Sequence, residues 1–265
     1  MPSGKTDTVG LIAGAESIDM QEENSHGILL LHGFGDTPQT LGLLARHLHA
    51  AGYDVRAPLL PGHGRTVESF MSSRREEWLA CARAELARMR ATHDGVSIGG
   101  LSMGGALAAI LAAETGDISS LVLMAPYLDM PKSQKLASAT HWIWSAVAGA
   151  RRSNSPGSIR DPLEREKNLG YGAYSGRLLY ELWRLAARAR RSLAKIAAPT
   201  LLIQSHTDPR IAQGVAERVF AALGCTVKKL VWVENTGHII TVDYGRARVF
   251  EEVAAWIGAH AHQRR

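Results

Sequence analysis

Two kinds of apolar pattern alternate along the chain. Short continuous runs stand at residues 28–31 (ILLL), 121–124 (LVLM), 201–203 (LLI) and 230–233 (LVWV). Runs this short, apolar at successive positions, predict strands buried on both faces, as in a parallel sheet. Residues 53–57 (YDVRA) and 96–99 (VSIG) read as two further strands, and residues 9–15 (VGLIAGA) as an early one. Between these runs apolar positions recur at helical spacing. Leu41, Leu44 and Leu48 do so in residues 40–51, and Trp78, Leu79, Ala82 and Leu86 share a face within residues 75–89. Residues 105–113, 212–223 and 246–259 also read as helices, the last one amphipathic. Strand and helix in alternation predict an α/β fold, a mostly parallel central sheet with helices on both faces.

The alternation breaks between Tyr127 and Ala198. That span carries helical patches, a polar stretch at residues 153–158 and six aromatics (Trp142, Trp144, Tyr171, Tyr174, Tyr180, Trp183), with no convincing strand. We read residues 1–265 as one domain, with residues 127–198 as a helical cap over the carboxyl ends of the strands. The net charge of +5 changes this picture, because it is unevenly spread. Residues 131–195 hold 13 Lys/Arg against four Asp/Glu, so the rest of the chain is net negative. No recognisable module pairs these cations with stacking aromatics, which argues against a nucleic-acid partner. No apolar run approaches the roughly 20 residues of a membrane span. Residues 9–15 are preceded by a single lysine, Lys5, and read as a strand rather than as a signal peptide. Two distant cysteines, Cys81 and Cys225, make neither a disulfide framework nor a metal-ligand spacing. The expectation is a cytoplasmic protein without a metal.

The chemistry centres on Gly100-Leu101-Ser102-Met103-Gly104, a G-x-S-x-G stretch between a strand and a helix. In that setting the serine is predicted to sit on a sharp turn as a nucleophile. A serine hydroxyl needs a base, a group to orient the base, and donors for the oxyanion. His238, in Asn235-Thr236-Gly237-His238, directly follows the strand at 230–233 and is the candidate base. The other histidines lie on helices, loops or the tail without a motif. His63, in a Pro-Gly-His-Gly turn, reads as a structural hydrogen-bonder, and His206 stands too close to the candidate acid. That acid is Asp208, in Ser205-His206-Thr207-Asp208-Pro209, after the strand at 201–203. Asp129, after the preceding strand, is its rival. The oxyanion donors should be the N–H of Met103 and that of Phe34, in the loop His32-Gly33-Phe34-Gly35. Gly33, Phe34 and Met103 are the expected substrate-contacting positions.

Taken together, His32-Gly33-Phe34, Pro61-Gly62-His63-Gly64, Gly100-Leu101-Ser102-Met103-Gly104-Gly105, Asp208 and Gly237-His238 resemble the α/β-hydrolases. Along with GLIAGAE at residues 10–16, they resemble the bacterial carboxylesterase and monoacylglycerol lipase branch. The similarity covers most of residues 10–260 and is weakest across the cap. It implies a serine esterase with a small helical lid, taking short- to medium-chain esters, monoacylglycerols among the candidates. It implies no metal or organic cofactor and a small, lipid-like ester as the binding partner. Other serine hydrolases of this fold, such as amidases, C–C bond hydrolases and acyltransferases, stay open, as does a ligand-binding protein that lost catalysis. One departure stands out: Asp208-Pro209-Arg210 places an arginine where the branch often has a hydrophobic residue.

Overall fold

A computed structural model describes residues 10–22, 25–130, 132–140, 142, 151–152, 156–212 and 214–261. Val9, Trp144 and residues 153–155 of the polar stretch lie outside the described residues. The main sheet has seven strands in the order β1-β3-β2-β4-β5-β8-β9. They are β1 (Ile18–Met20), β2 (His26–Leu31), β3 (Asp54–Ala57), β4 (Gly95–Leu101), β5 (Ser120–Met124), β8 (Thr200–Ser205) and β9 (Lys228–Val233). Only β1 runs antiparallel, against β3 at the edge; the other pairs are parallel. The helices are α1 (Gly42–Ala50), α2 (Val67–Ser72), α3 (Arg75–Thr92), α4 (Met103–Thr115), α5 (Lys132–Ala139), α6 (Pro162–Lys167), α7 (Gly176–Ser192), α8 (Val215–Ala222) and α9 (Arg246–His260).

Side-chain alternation along each strand divides the core in two. Leu29, Leu31, Leu121, Leu123 and Leu202 face one side, packed with α3, α4, α7 and α8. Ile28, Leu30, Val122, Met124, Leu201 and Ile203 face the other, with α1 and α9. This is why the strands read as unbroken apolar runs. In α4 every residue from Met103 to Ala112 is buried. It is therefore apolar all round, as a helix enclosed by its neighbours must be.

Residues 10–15 form turns rather than the expected strand. The edge strand lies later, at Ile18–Met20, where only three residues pair. The span between β5 and β8 also holds two strands of two residues each, β6 (Arg151–Arg152) and β7 (Ala173–Tyr174), paired antiparallel. Two residues are too few to leave a period in the sequence. Within the same span α7 contributes Leu178, Leu182, Leu185, Ala186 and Ala189 to the core. Part of the basic excess here is paired, Arg188 with the body and Lys135 and Arg190 within the segment itself. Arg188 meets Glu114 at 2.7 Å, and Lys135 and Arg190 meet Asp129 at 2.8 and 3.0 Å.

The chain leaves β2 for β3 on one side, then crosses to β4 and β5 on the other. Such a reversal opens a crevice at the carboxyl ends of the two central strands. The loop after β2 holds Phe34, and the turn after β4 holds Ser102.

Candidate active site

Ser102 joins β4 to α4 with φ 55° and ψ −114°, a conformation that costs a side-chain-bearing residue energy. Its neighbours make the turn sterically feasible. A Cβ on Gly100 would lie 2.2 Å from the Gly104 carbonyl oxygen, and one on Gly104 would lie 1.9 Å from that of Leu31. The turn is pinned by the Ser102 N–H donating to Met124 O at 2.9 Å, and by Ser102 O accepting from Gly105 and Tyr127, both at 3.0 Å. Met103 opens α4, so its N–H belongs to the first turn, where a helix leaves such groups without an internal partner.

His238 Nε2 stands 2.7 Å from Ser102 Oγ, and its Nδ1 stands 2.8 Å from Asp208 Oδ2. A carboxylate only accepts, so the Nδ1 proton points at Asp208 and Nε2 is left to accept the serine proton. Asp208 follows β8 and is held by N–H donation from Arg210 and Ile211 to Oδ1 at 2.7 and 3.0 Å. Gln204 Nε2 donates to its Oδ2 at 2.8 Å. Burial would raise the Asp208 pKa, but the charge of His238 and these hydrogen bonds outweigh it and hold the carboxyl below its usual range. The rival Asp129 faces Lys135 and Arg190 instead.

The loop carrying Phe34 is braced by two histidines. The Leu60 N–H donates to His32 Nε2 at 3.1 Å, and His32 Nδ1 turns to Gly33 O at 2.9 Å. The Gly35 N–H donates to His63 Nε2 at 3.2 Å, with His63 Nδ1 3.1 Å from Pro61 O. Each ring thus holds one proton. Burial, reinforced for His32 by the neighbouring His63, lowers both pKa values, that of His63 to about 4. His63 is the structural hydrogen-bonder that its turn predicts.

Residues 22–244 match the family Hydrolase_4, described as serine aminopeptidase, S33. The chain belongs to this family. It is a serine α/β-hydrolase. It is 29% identical over 256 residues to a thermostable monoacylglycerol lipase of Bacillus sp. (strain H-257), covering 95% of this chain and 97% of the relative. It is 26% identical over 228 residues to a carboxylesterase of Bacillus subtilis (strain 168), covering 85% and 89%. Its fold matches a solved structure reported with the metagenome-derived lipolytic enzymes LipS and LipT, with TM-score 0.86, 26% identity, and coverage of 94% and 100%. The monoacylglycerol lipase of Paleococcus ferrophilus shares the fold at TM-score 0.79 and 20% identity, with coverage of 92% and 98%.

In this hydrolase a cavity of about 550 Å³ opens over Ser102 and His238. Phe34, Tyr127, Leu179 and Leu182 form an apolar wall; Asp36, Arg165, Asn168 and Arg210 contribute polar groups. Among the described residues no group of three or more His, Cys, Asp or Glu could hold a metal ion, and no helix is long and apolar enough to cross a membrane.

Two residues here were not foreseen. Asp36 lies in the cavity wall, where burial, opposed by the charges of His238 and Arg210 and a hydrogen bond from Asn168, raises its pKa to about 6. Asp243 is fully buried and accepts four backbone N–H groups, from Arg160, Asp161, Gly237 and Tyr244, at 2.7 to 2.9 Å. It binds the loop that carries His238 to residues 160–161. Neither position belongs to a local motif, so only the fold could reveal them.

Proposed function

We propose that this hydrolase is a serine carboxylesterase acting on short- to medium-chain esters, monoacylglycerols among them. Ser102 is the nucleophile, His238 the general base and acid, and Asp208 the group that fixes the imidazole tautomer. The N–H groups of Phe34 and Met103 form the oxyanion hole, and Gly33, Phe34 and Met103 border the reacting carbonyl. The observation that carries this reading is the unbroken hydrogen-bonded line from Ser102 through His238 to Asp208. The names of the two Bacillus relatives favour an ester over an amide.

Ser102 Oγ attacks the ester carbonyl while His238 Nε2 takes its proton. The oxyanion is met by the two N–H groups, each contributing about 3 kcal/mol in comparable sites. The imidazolium, steadied by Asp208, then protonates the departing alcohol. Water repeats the sequence against the acyl-enzyme and releases the acid. Residues 127–198 serve as the cap: α7 anchors the segment in the core, and Arg165, Asn168 and Leu179 close over the cavity. Cys81 and Cys225 are both free thiols, in keeping with a cytoplasmic location.

The test is hydrolysis of p-nitrophenyl esters from acetate to palmitate, with Ser102→Ala alongside. The reading expects a maximum at short to medium chains and loss of turnover in a variant that still folds. Undiminished turnover by Ser102→Ala, or no hydrolysis of any ester by the wild type, would reject it.

A further inference from the structure

The mechanism above makes no use of Asp36, although a carboxylate in the wall of a reaction cavity is costly to desolvate. Its place is tightly defined. A Cβ on Gly33 would lie 2.8 Å from Asp36 Oδ2 and 3.5 Å from Ser102 Cβ, so Gly33 stands against both the carboxylate and the side chain of the nucleophile. On the cap side, a Cβ on Gly170 would lie 2.7 Å from Asp36 Oδ1 and 2.8 Å from Asn168 Oδ1. Glycine at both positions leaves room for the carboxylate, which lines the cavity. The Gly170 N–H donates to Asn168 Oδ1 at 2.5 Å, which fixes the amide beside it. Tyr171 N donates to Gly35 O at 3.0 Å and joins this strip of the cap to the loop that carries Asp36.

The chemistry assigns this corner to one half of the substrate. The leaving oxygen must come within hydrogen-bonding reach of His238 Nε2, so the alcohol lies on the His238 side. Asp36 and Arg210 are the charges gathered there; Arg210 Nε donates to Ser158 Oγ at 3.0 Å, and its charge acts on Asp36. The acyl chain is left the wall of Phe34, Tyr127, Leu179 and Leu182. An anionic alcohol would be repelled by Asp36, and a cationic one by Arg165 and Arg210. A neutral polyol suits all of them, because each hydroxyl both donates and accepts. It would donate to Asp36 and accept from Asn168 or an arginine.

Resting on the reading of Ser102 as an esterase nucleophile, we propose that Asp36 is the alcohol-side specificity residue of this hydrolase. Its carboxylate accepts hydrogen bonds from the free hydroxyls of a polyol leaving group, glycerol being the simplest carrier of two such hydroxyls. The residue distinguishes polyol esters from alkyl esters of the same acid.

The experiment compares 1-monocaprylin with ethyl caprylate, which share an acyl chain, on the full-length wild type, Asp36→Ala and Asp36→Asn. Far-UV circular dichroism checks that each variant folds; if Asp36→Ala does not, the near-isosteric Asp36→Asn carries the test. The ratio of kcat/KM for monocaprylin to that for ethyl caprylate should fall about tenfold or more in Asp36→Ala, the usual loss with a hydrogen bond to a charged group. The fall should appear mainly in KM for monocaprylin. A ratio within about twofold of wild type overturns the proposal, whatever happens to the absolute rates, because an effect exerted through His238 would lower both substrates equally. A wild type that hydrolyses neither ester would reject the esterase reading itself, an outcome distinct from an active esterase indifferent to Asp36.

Discussion

Asp36→Asn should make the protein more stable at pH 8 and leave its stability nearly unchanged at pH 4. The Asp36 pKa is raised from 3.8 to about 6, chiefly by burial. Folding therefore favours the protonated acid. The stability it contributes is complete below pH 3.8 and is lost as pH rises through about 6. At about 1.4 kcal/mol per unit, the ionised group costs up to about 3 kcal/mol. The partial exposure of Asp36 reduces that, and we expect a gain of about 1–2 kcal/mol for the neutral amide. Urea denaturation of both proteins at pH 4, 6 and 8 measures the difference. The gap should open between pH 4 and 6 and reach its full size by pH 8. In a chain of this size it corresponds to a rise in Tm of roughly 2–8 °C. A gap of equal size at pH 4 and 8 would mean that packing rather than charge is responsible. A variant no more stable than wild type at pH 8 would refute the burial argument. Lower stability for a functional carboxylate is the usual trade between activity and stability.

Three further predictions concern the scaffold of the site. Asp208→Asn should keep the fold and lower kcat by about 10⁴-fold, because the amide holds His238 in the wrong tautomer; steady-state kinetics on p-nitrophenyl butyrate checks this. Gly104→Ala should fail to yield soluble, cooperatively folding protein, since its Cβ would lie 1.9 Å from Leu31 O and 2.8 Å from His32 O, both backbone atoms; thermal melting of the purified variant decides it. Asp243→Ala should destabilise by about 3 kcal/mol, because four backbone N–H groups, that of Gly237 buried, lose their acceptor. Its residual activity should fall with the loss of order in the His238 loop, and differential scanning calorimetry with a kcat measurement tests both.

The centre of the sheet was legible because strands such as β2, β5 and β8 are buried on both faces, which leaves runs such as residues 28–31 apolar at every position. Asp208 and His238 were legible for a related reason, since each comes soon after such a run and the fold gathers the carboxyl ends of its strands; Ser102 was legible from its G-x-S-x-G motif between a strand and a helix. Residues 10–15 misled because an apolar turn and an apolar strand look alike over so few residues. The β6–β7 pair was too short to carry a period. Asp36 and Asp243 were invisible for a different reason. What makes Asp36 special is Gly170 and Asn168 closing over it from far along the chain. What makes Asp243 special is the backbone of Arg160 and Asp161 arriving at its carboxylate. Contacts of that kind depend on the packed fold and have no local signature.

The role of Ser102 is tested most directly by trapping it. The wild type is treated with a fluorophosphonate and digested, and the modified peptide is located by mass spectrometry, with Ser102→Ala and His238→Ala treated in parallel. The account predicts a single stoichiometric adduct on Ser102, absent from Ser102→Ala and formed far more slowly in His238→Ala. No adduct on the wild type, or one on a different residue, would contradict it.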